Sequence, residues 1–174
     1  MMRSGGKRWL FGAVAGALVL LGGIAWLLQP VKQPVSFATV SAPSIDLPNI
    51  NGTERIRLES YLGRPVVVNF FLSDCIPCRT ELPMLQAAAT LHAPNVTFLG
   101  INSERAADGR AFVKKMRLDF PVGSDPDNAA AEAFGVMANP STFFIDSTGV
   151  VRSRVLGAIS AKELERRINA VSDR

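Results

Sequence analysis

Two cysteines, Cys75 and Cys78, stand in the order Cys-Ile-Pro-Cys and are the only thiols in a chain of 174 residues. Three chemistries compete for such a pair. A structural disulfide across so short a loop would constrain the unfolded chain only weakly. A zinc site needs about four ligands. The motif supplies two, and His92 is the only histidine, so a tetrahedral Cys/His site cannot be completed within one chain and no metal is assigned. A redox dithiol needs two sulfurs close enough to bond, on a rigid element, with one held as thiolate near neutral pH. A Cys-x-x-Cys pair at a helix N-terminus meets all three needs, because free amide groups and the helix dipole stabilise the thiolate. Redox chemistry is therefore the preferred reading.

That chemistry requires elements that aim the sulfurs. Gly63-Arg64-Pro65 leads into Val66-Val67-Val68-Asn69-Phe70-Phe71-Leu72, a run of β-branched and aromatic residues that predicts a strand buried on both faces. Ser73 or Asp74 is placed to cap a helix that starts at the cysteines and runs toward His92, with Pro83 expected to kink it. Val96–Ile101 reads as a second buried strand. Arg105–Arg117 reads as a helix with Phe112, Val113 and Met116 on one face, and Asn128–Phe134 as a short helix. Thr142–Ile145 and Val150–Val155 predict a hairpin across Asp146-Ser147-Thr148-Gly149. Ser160-Ala161-Lys162-Glu163 has the spacing of a capping box that opens a last helix with Leu164 and Ile168 facing inward. Upstream, Ser44–Leu47 and Arg55–Leu58 are extended stretches separated by Asn51-Gly52, a hairpin turn signal. Strands that alternate with helices predict an α/β sandwich around a mixed central sheet.

The N-terminal end has a different composition. Trp9 to Leu28 is twenty residues without a charge, which as a helix spans about 30 Å, the thickness of a bilayer's hydrocarbon core. Lys7 and Arg8 precede it, which keeps residues 1–8 cytoplasmic and exports the rest of the chain. The apolar run exceeds the roughly 7–15 residues of a cleaved signal peptide, and Gln29-Pro30-Val31-Lys32 lacks a small-x-small cleavage site. An uncleaved transmembrane signal-anchor over 9–28 is the expectation, with a linker over 29–37 and a folded domain over 38–174. The net charge of +4 also belongs to this end. Residues 1–30 hold three of the 19 basic residues and none of the 15 acidic ones, which leaves 16 against 15 in the remainder. A nearly balanced domain without a basic, aromatic-interleaved patch excludes nucleic acid as a partner.

The exported domain resembles the membrane-anchored TlpA-like and ResA-like branch of the thioredoxin superfamily. The resemblance runs through Ala42-Pro43-Ser44, Gly63-Arg64-Pro65-Val66-Val67-Val68-Asn69-Phe70, the Cys75–Cys78 motif, Phe120-Pro121-Val122 and Gly135-Val136-Met137-Ala138-Asn139-Pro140-Ser141-Thr142-Phe143-Phe144-Ile145-Asp146. It implies a thioredoxin fold, a mixed central sheet flanked by helices, with an added N-terminal β-hairpin. It implies that Cys75 attacks, that a buried Cys78 resolves, and that Pro140 is cis and faces them. Glu81 stands where this branch keeps an acid that moves protons for the pair, and Asn69 where thioredoxin itself keeps a buried acid. Glu104 stands where some relatives place a further active-site acid, although a first-turn helix acid is an equal reading. The surface offered to a client is then Asp74, Ile76, Pro77, Asn139 and Pro140. Asp74 departs from the usual Trp of the family. Its carboxylate should oppose the thiolate, while Arg79 one turn on could offset it.

The implied activity is an extracytoplasmic thiol–disulfide oxidoreductase of the cytoplasmic membrane, whose only redox group is the Cys75–Cys78 disulfide. Its partners would be disulfides of exported proteins, such as apocytochrome c or copper-site cysteines, and a membrane electron donor that re-reduces the pair. Two rival readings are a redoxin-type peroxidase and a Sco-type copper chaperone. The first expects Thr where this chain has Leu72. The second expects a Cys-x-x-x-Cys spacing with a distant histidine.

Overall fold

The computed structural model describes residues 40–173. The expected cytoplasmic start, anchor helix and linker lie outside the described residues, and among those residues no helix is long and apolar enough to cross a membrane.

The described residues form eight strands and four α-helices. The strands are β1 (Val40–Ser41), β2 (Asp46–Leu47), β3 (Ile56–Arg57), β4 (Val66–Phe71), β5 (Thr97–Asn102), β6 (Val122–Ser124), β7 (Ser141–Ile145) and β8 (Val150–Leu156). The helices are α1 (Ile76–His92), α2 (Ala106–Met116), α3 (Ala129–Ala133) and α4 (Ala161–Ser172), and a 3-10 turn covers Leu58–Tyr61. Six strands form one sheet in the order β1-β8-β7-β4-β5-β6. β4, β5 and β6 are parallel, whereas β7 runs antiparallel to β4 and β8 antiparallel to β7. The sheet is thus mixed, and β4 lies inside it with all six residues buried.

The alternation of β4 sorts the core. Val67 and Phe71 point to one face, where they meet Leu82 and Leu85 of α1, Phe112 and Val113 of α2, and Leu164 and Ile168 of α4. Val66, Val68 and Phe70 point to the other, where they meet Ala130 and Ala131 of α3, Phe134, and Ile45 and Ile56 of β2–β3 and its approach. Each such side chain removed from water contributes about 1.5–3 kcal/mol, so both layers are held by the strand that leads to the cysteines. Asn69, in the middle of this run, is the exception, a polar side chain only 2% exposed.

Two local expectations are corrected. The hairpin of β2 and β3 exists, with Leu47 opposite Ile56, but Asn51-Gly52 does not close it as a tight two-residue turn. Asn51 instead donates from Nδ2 to the carbonyls of Leu118 and Phe120, both at 3.0 Å, and accepts from Val122 N at 3.1 Å. It braces the strand entering β6. The second correction concerns the cap of α1. Neither Ser73 nor Asp74 supplies it. Cys75 is the N-cap, and its own Sγ accepts from Cys78 N at 3.2 Å. The helix then runs unbroken through Pro83. Ser160 does cap α4, accepting from Glu163 N, while the Glu163 carboxylate turns to Arg166 and Arg167 rather than back to the cap.

Candidate active site

Cys75 and Cys78 are joined in a disulfide with their Cα atoms 5.3 Å apart. The backbone explains how they meet. β4 ends at Phe71, a short bend passes through Ser73 and Asp74, and α1 starts with Cys75 as its cap. Residues three apart on one helical turn are neighbours. Pro77 falls in the first turn, where a missing N–H costs nothing because no helical acceptor exists for it. The two sulfurs differ in access, since Cys78 is fully buried and Cys75 half-buried. Ile76, between them, is 75% exposed.

Beneath the pair lies one buried acid. Glu81, on the next turn of α1 after Cys78, is 3% exposed. Its Oε1 accepts from Asn69 Nδ2 at 2.9 Å and its Oε2 from the backbone N of Ile159 at 3.0 Å. Asn69 Nδ2 also donates to Thr142 Oγ1 at 3.0 Å, and Asn69 Oδ1 is buried without a partner among the described residues. Burial pushes the Glu81 carboxyl up from its ordinary value, and the hydrogen bonds from Ile159 and Asn69 oppose that rise without cancelling it. A carboxyl so placed can hold or release a proton closer to neutrality than a surface glutamate can.

Pro140 sits at the same end of the sheet. In the β4–β7 register Phe70 lies opposite Ser141, so Pro140 falls beside the end of β4 from which the cysteine bend departs. The Asn139–Pro140 peptide is cis, Pro140 is buried, and its carbonyl accepts from Gly157 N at 2.8 Å. Asn139 is half-buried, with its Oδ1 buried and unpartnered among the described residues. Asp74 is exposed, and among the described residues its carboxylate joins no hydrogen bond or ion pair. Arg79 does not answer it: its Nε donates to the Ser73 carbonyl at 2.7 Å and its guanidinium lies 5.8 Å from the Phe112 ring centroid.

Glu104 belongs to this neighbourhood, and not as a first-turn acid, because α2 starts only at Ala106. It accepts from Ser73 Oγ at 2.6 Å and from Asn102 Nδ2 at 2.9 Å. This link from the cysteine bend to the end of β5, together with the Ile159 and Thr142 contacts, has no local sequence signal, since the partners lie 31 to 78 residues apart. His92 is elsewhere. It ends α1, and its Nε2 lies 3.0 Å from Glu165, about sixteen residues or roughly 24 Å of helix from the cysteines. The two sulfurs and the histidine therefore do not form the shared ligand set that a copper chaperone would use.

Residues 39–154 match the family model described as AhpC/TSA. The chain belongs to the AhpC/TSA family. Within it, the chain is 32% identical over 162 residues to the thiol:disulfide interchange protein DsbE of Pseudomonas fluorescens, covering 88% of this chain and 87% of that one. It is 29% identical to the thiol-disulfide oxidoreductase ResA of Geobacillus kaustophilus, covering 88% and 91%. Among solved structures, DsbF of MTB, described in mixed oxidized and reduced forms, superposes with a TM-score of 0.69 at 30% identity, covering 77% of this chain and 99% of that one. This AhpC/TSA chain accordingly has a thioredoxin-like fold and is a thioredoxin-like thiol–disulfide oxidoreductase.

Proposed function

We propose that this chain reduces disulfides of exported proteins through Cys75 and Cys78. The observation that carries the reading is the asymmetry of the pair: one sulfur within reach of a visitor, its neighbour buried, and a buried carboxyl one turn below. In the reduced form the Cys75 thiolate, stabilised by the Cys78 N–H and the start of α1, attacks one sulfur of a client disulfide. The bond between the client sulfurs breaks and the departing thiolate takes a proton from solvent. Cys78 then gives its proton to Glu81 and attacks Cys75. The mixed disulfide breaks, the client's second sulfur leaves as a thiolate that takes the proton from Glu81, and the protein holds the Cys75–Cys78 disulfide while the client holds two thiols. Two electrons have moved to the client. A membrane dithiol donor returns them.

The place of action is read from the sequence. The charge-free stretch Trp9–Leu28 after Lys7 and Arg8 supports a single-pass anchor in the cytoplasmic membrane, with the catalytic domain on the periplasmic or extracytoplasmic side. In that compartment disulfides persist, and cysteines awaiting haem or copper require a reductant. Asp74, Ile76 and Pro77, which are exposed, form the client surface, with the half-buried Asn139 and the buried Pro140 behind it.

The test is capture. Cys78→Ser should accumulate covalent complexes with exported proteins, resolved by non-reducing electrophoresis, while Cys75→Ser gives none. Absence of any such complex would overturn the reading. Equilibration of the wild-type pair with glutathione should give a potential near about −300 mV, and a value near about −120 mV would instead mark an oxidant. Peroxide consumption by the reduced protein at peroxidase rates would favour the redoxin reading.

A further inference from the structure

Resting on the exchange reading above, we infer that the rim of Cys75 selects client disulfides flanked by a cationic and an apolar residue. Three charged side chains meet at the cysteine bend, with Ser73 as their node. Arg79, itself exposed, is held along the surface, its Nε on the Ser73 carbonyl at 2.7 Å and its guanidinium 5.8 Å from the Phe112 ring centroid. Glu104 accepts at 2.6 Å from the hydroxyl of the same serine and from the Asn102 amide, both neutral donors, so no cation answers it there. Asp74, the residue immediately before Cys75, is exposed and pairs with nothing among the described residues. Two carboxylates and one guanidinium leave one negative charge in excess, and the carboxylate facing solvent is the one next to the attacking sulfur.

Exposed apolar side chains accompany this carboxylate at the same end of the sheet. Ile76 is 75% exposed, and Met137, in the loop that leads to Pro140 at the same end of the sheet, is 80% exposed. A peptide that brings its sulfur to Cys75 therefore meets an exposed carboxylate on the residue before it and an exposed aliphatic side chain on the residue after it. A lysine or arginine beside one client cysteine answers the first, and a leucine or valine answers the second. An acidic flank meets repulsion. With charges about 6 Å apart in water, Coulomb's law gives roughly three-fold in rate for a charge of either sign, hence about ten-fold between a cationic and an anionic client.

The test uses the full chain, reduced, with three synthetic peptides that carry the same internal disulfide and differ only in the residue beside one cysteine: Lys, Gln or Glu. Each second-order rate is divided by the rate of that peptide with dithiothreitol, which removes the effect of the flank on the leaving thiol. The expected order is Lys over Gln over Glu, with a span of about ten-fold at low salt. The span should fall below about two-fold in 0.5 M salt, where screening acts over roughly 4 Å. Asp74→Asn should shrink the span, and Asp74→Lys should reverse the order. A change in the reactivity of Cys75 alone would scale all three peptides together and leave the ratios intact. Equal rates, or a span that survives in Asp74→Lys, would overturn the inference. Inertness toward all three peptides would instead remove the exchange reading itself, and this inference with it.

Discussion

At the residue scale the decisive group is Glu81. Burial holds its carboxyl above the ordinary 4.5, against hydrogen bonds from Ile159 and Asn69. A raised acid binds its proton more tightly in the folded chain than in the unfolded one. The stability this gives is complete below about pH 4.5 and is lost as pH rises through the folded value. Above that value the carboxylate is free to accept the Cys78 proton in the exchange proposed above. Glu81→Gln should therefore slow the release of client from a preformed mixed disulfide by roughly a hundred-fold, the low end of what general base catalysis contributes. It should also erase the inflection that the wild-type rate shows above the normal glutamate range. Stopped-flow measurement of client release against pH checks both. The acid itself can be picked out through the family resemblance, which places a glutamate one turn after Cys78. Its partners cannot, because Ile159 is 78 residues away and presents only a backbone N–H.

At the scale of elements, the strand under the cysteines is legible in the sequence because a fully buried strand in a mixed sheet is continuously apolar, and β4 is buried at every residue. β1 and β6 are not, since strands of two and three residues have no period to read. The cap of α1 escapes the sequence for a definite reason. Ser and Asp are the usual caps, and only the folded backbone reveals that a cysteine one or two residues later takes their place. Asn51 misleads similarly: its dipeptide signals a turn, but its amide is spent on three backbone groups around β6. Asn51→Ala leaves two carbonyls and one N–H without these partners. It should cost about 2–3 kcal/mol, at roughly 1 kcal/mol per hydrogen bond. In urea unfolding this reads as a lower midpoint with an unchanged slope.

At the scale of the molecule, one buried carboxylate in a turn links stability to acid. Asp146 joins β7 to β8. Burial pushes its carboxyl up, but donors from Thr148, Val150 and Arg152 outweigh this and hold it at about 2, against an ordinary 3.8. The ion pair with Arg152 is 2.6 Å long and its carboxylate is 3% exposed. A depressed acid stabilises the fold above its unfolded value and loses that contribution as pH falls through its folded one. Asp146 should supply about 2 kcal/mol at pH 7, vanishing between about pH 4 and pH 2. Thermal midpoints of wild type and Asp146→Asn should differ at neutral pH and converge near pH 2. A difference that persists at pH 2 would place the effect in packing instead.

Since the sulfur of Cys75 both closes the disulfide and receives the Cys78 amide in the first turn of α1, the two usual ways of silencing this cysteine are not equivalent. Alanine deletes the thiol together with the helix's capping contact, and the second loss alone is worth about 1 kcal/mol. Serine deletes the thiol while leaving an oxygen to receive the same N–H. Any unfolding experiment that compares a thiol-free chain with the reduced wild type should accordingly see the alanine version melt first, and mistaking that gap for the worth of the redox bond would credit the bond with what belongs to the cap.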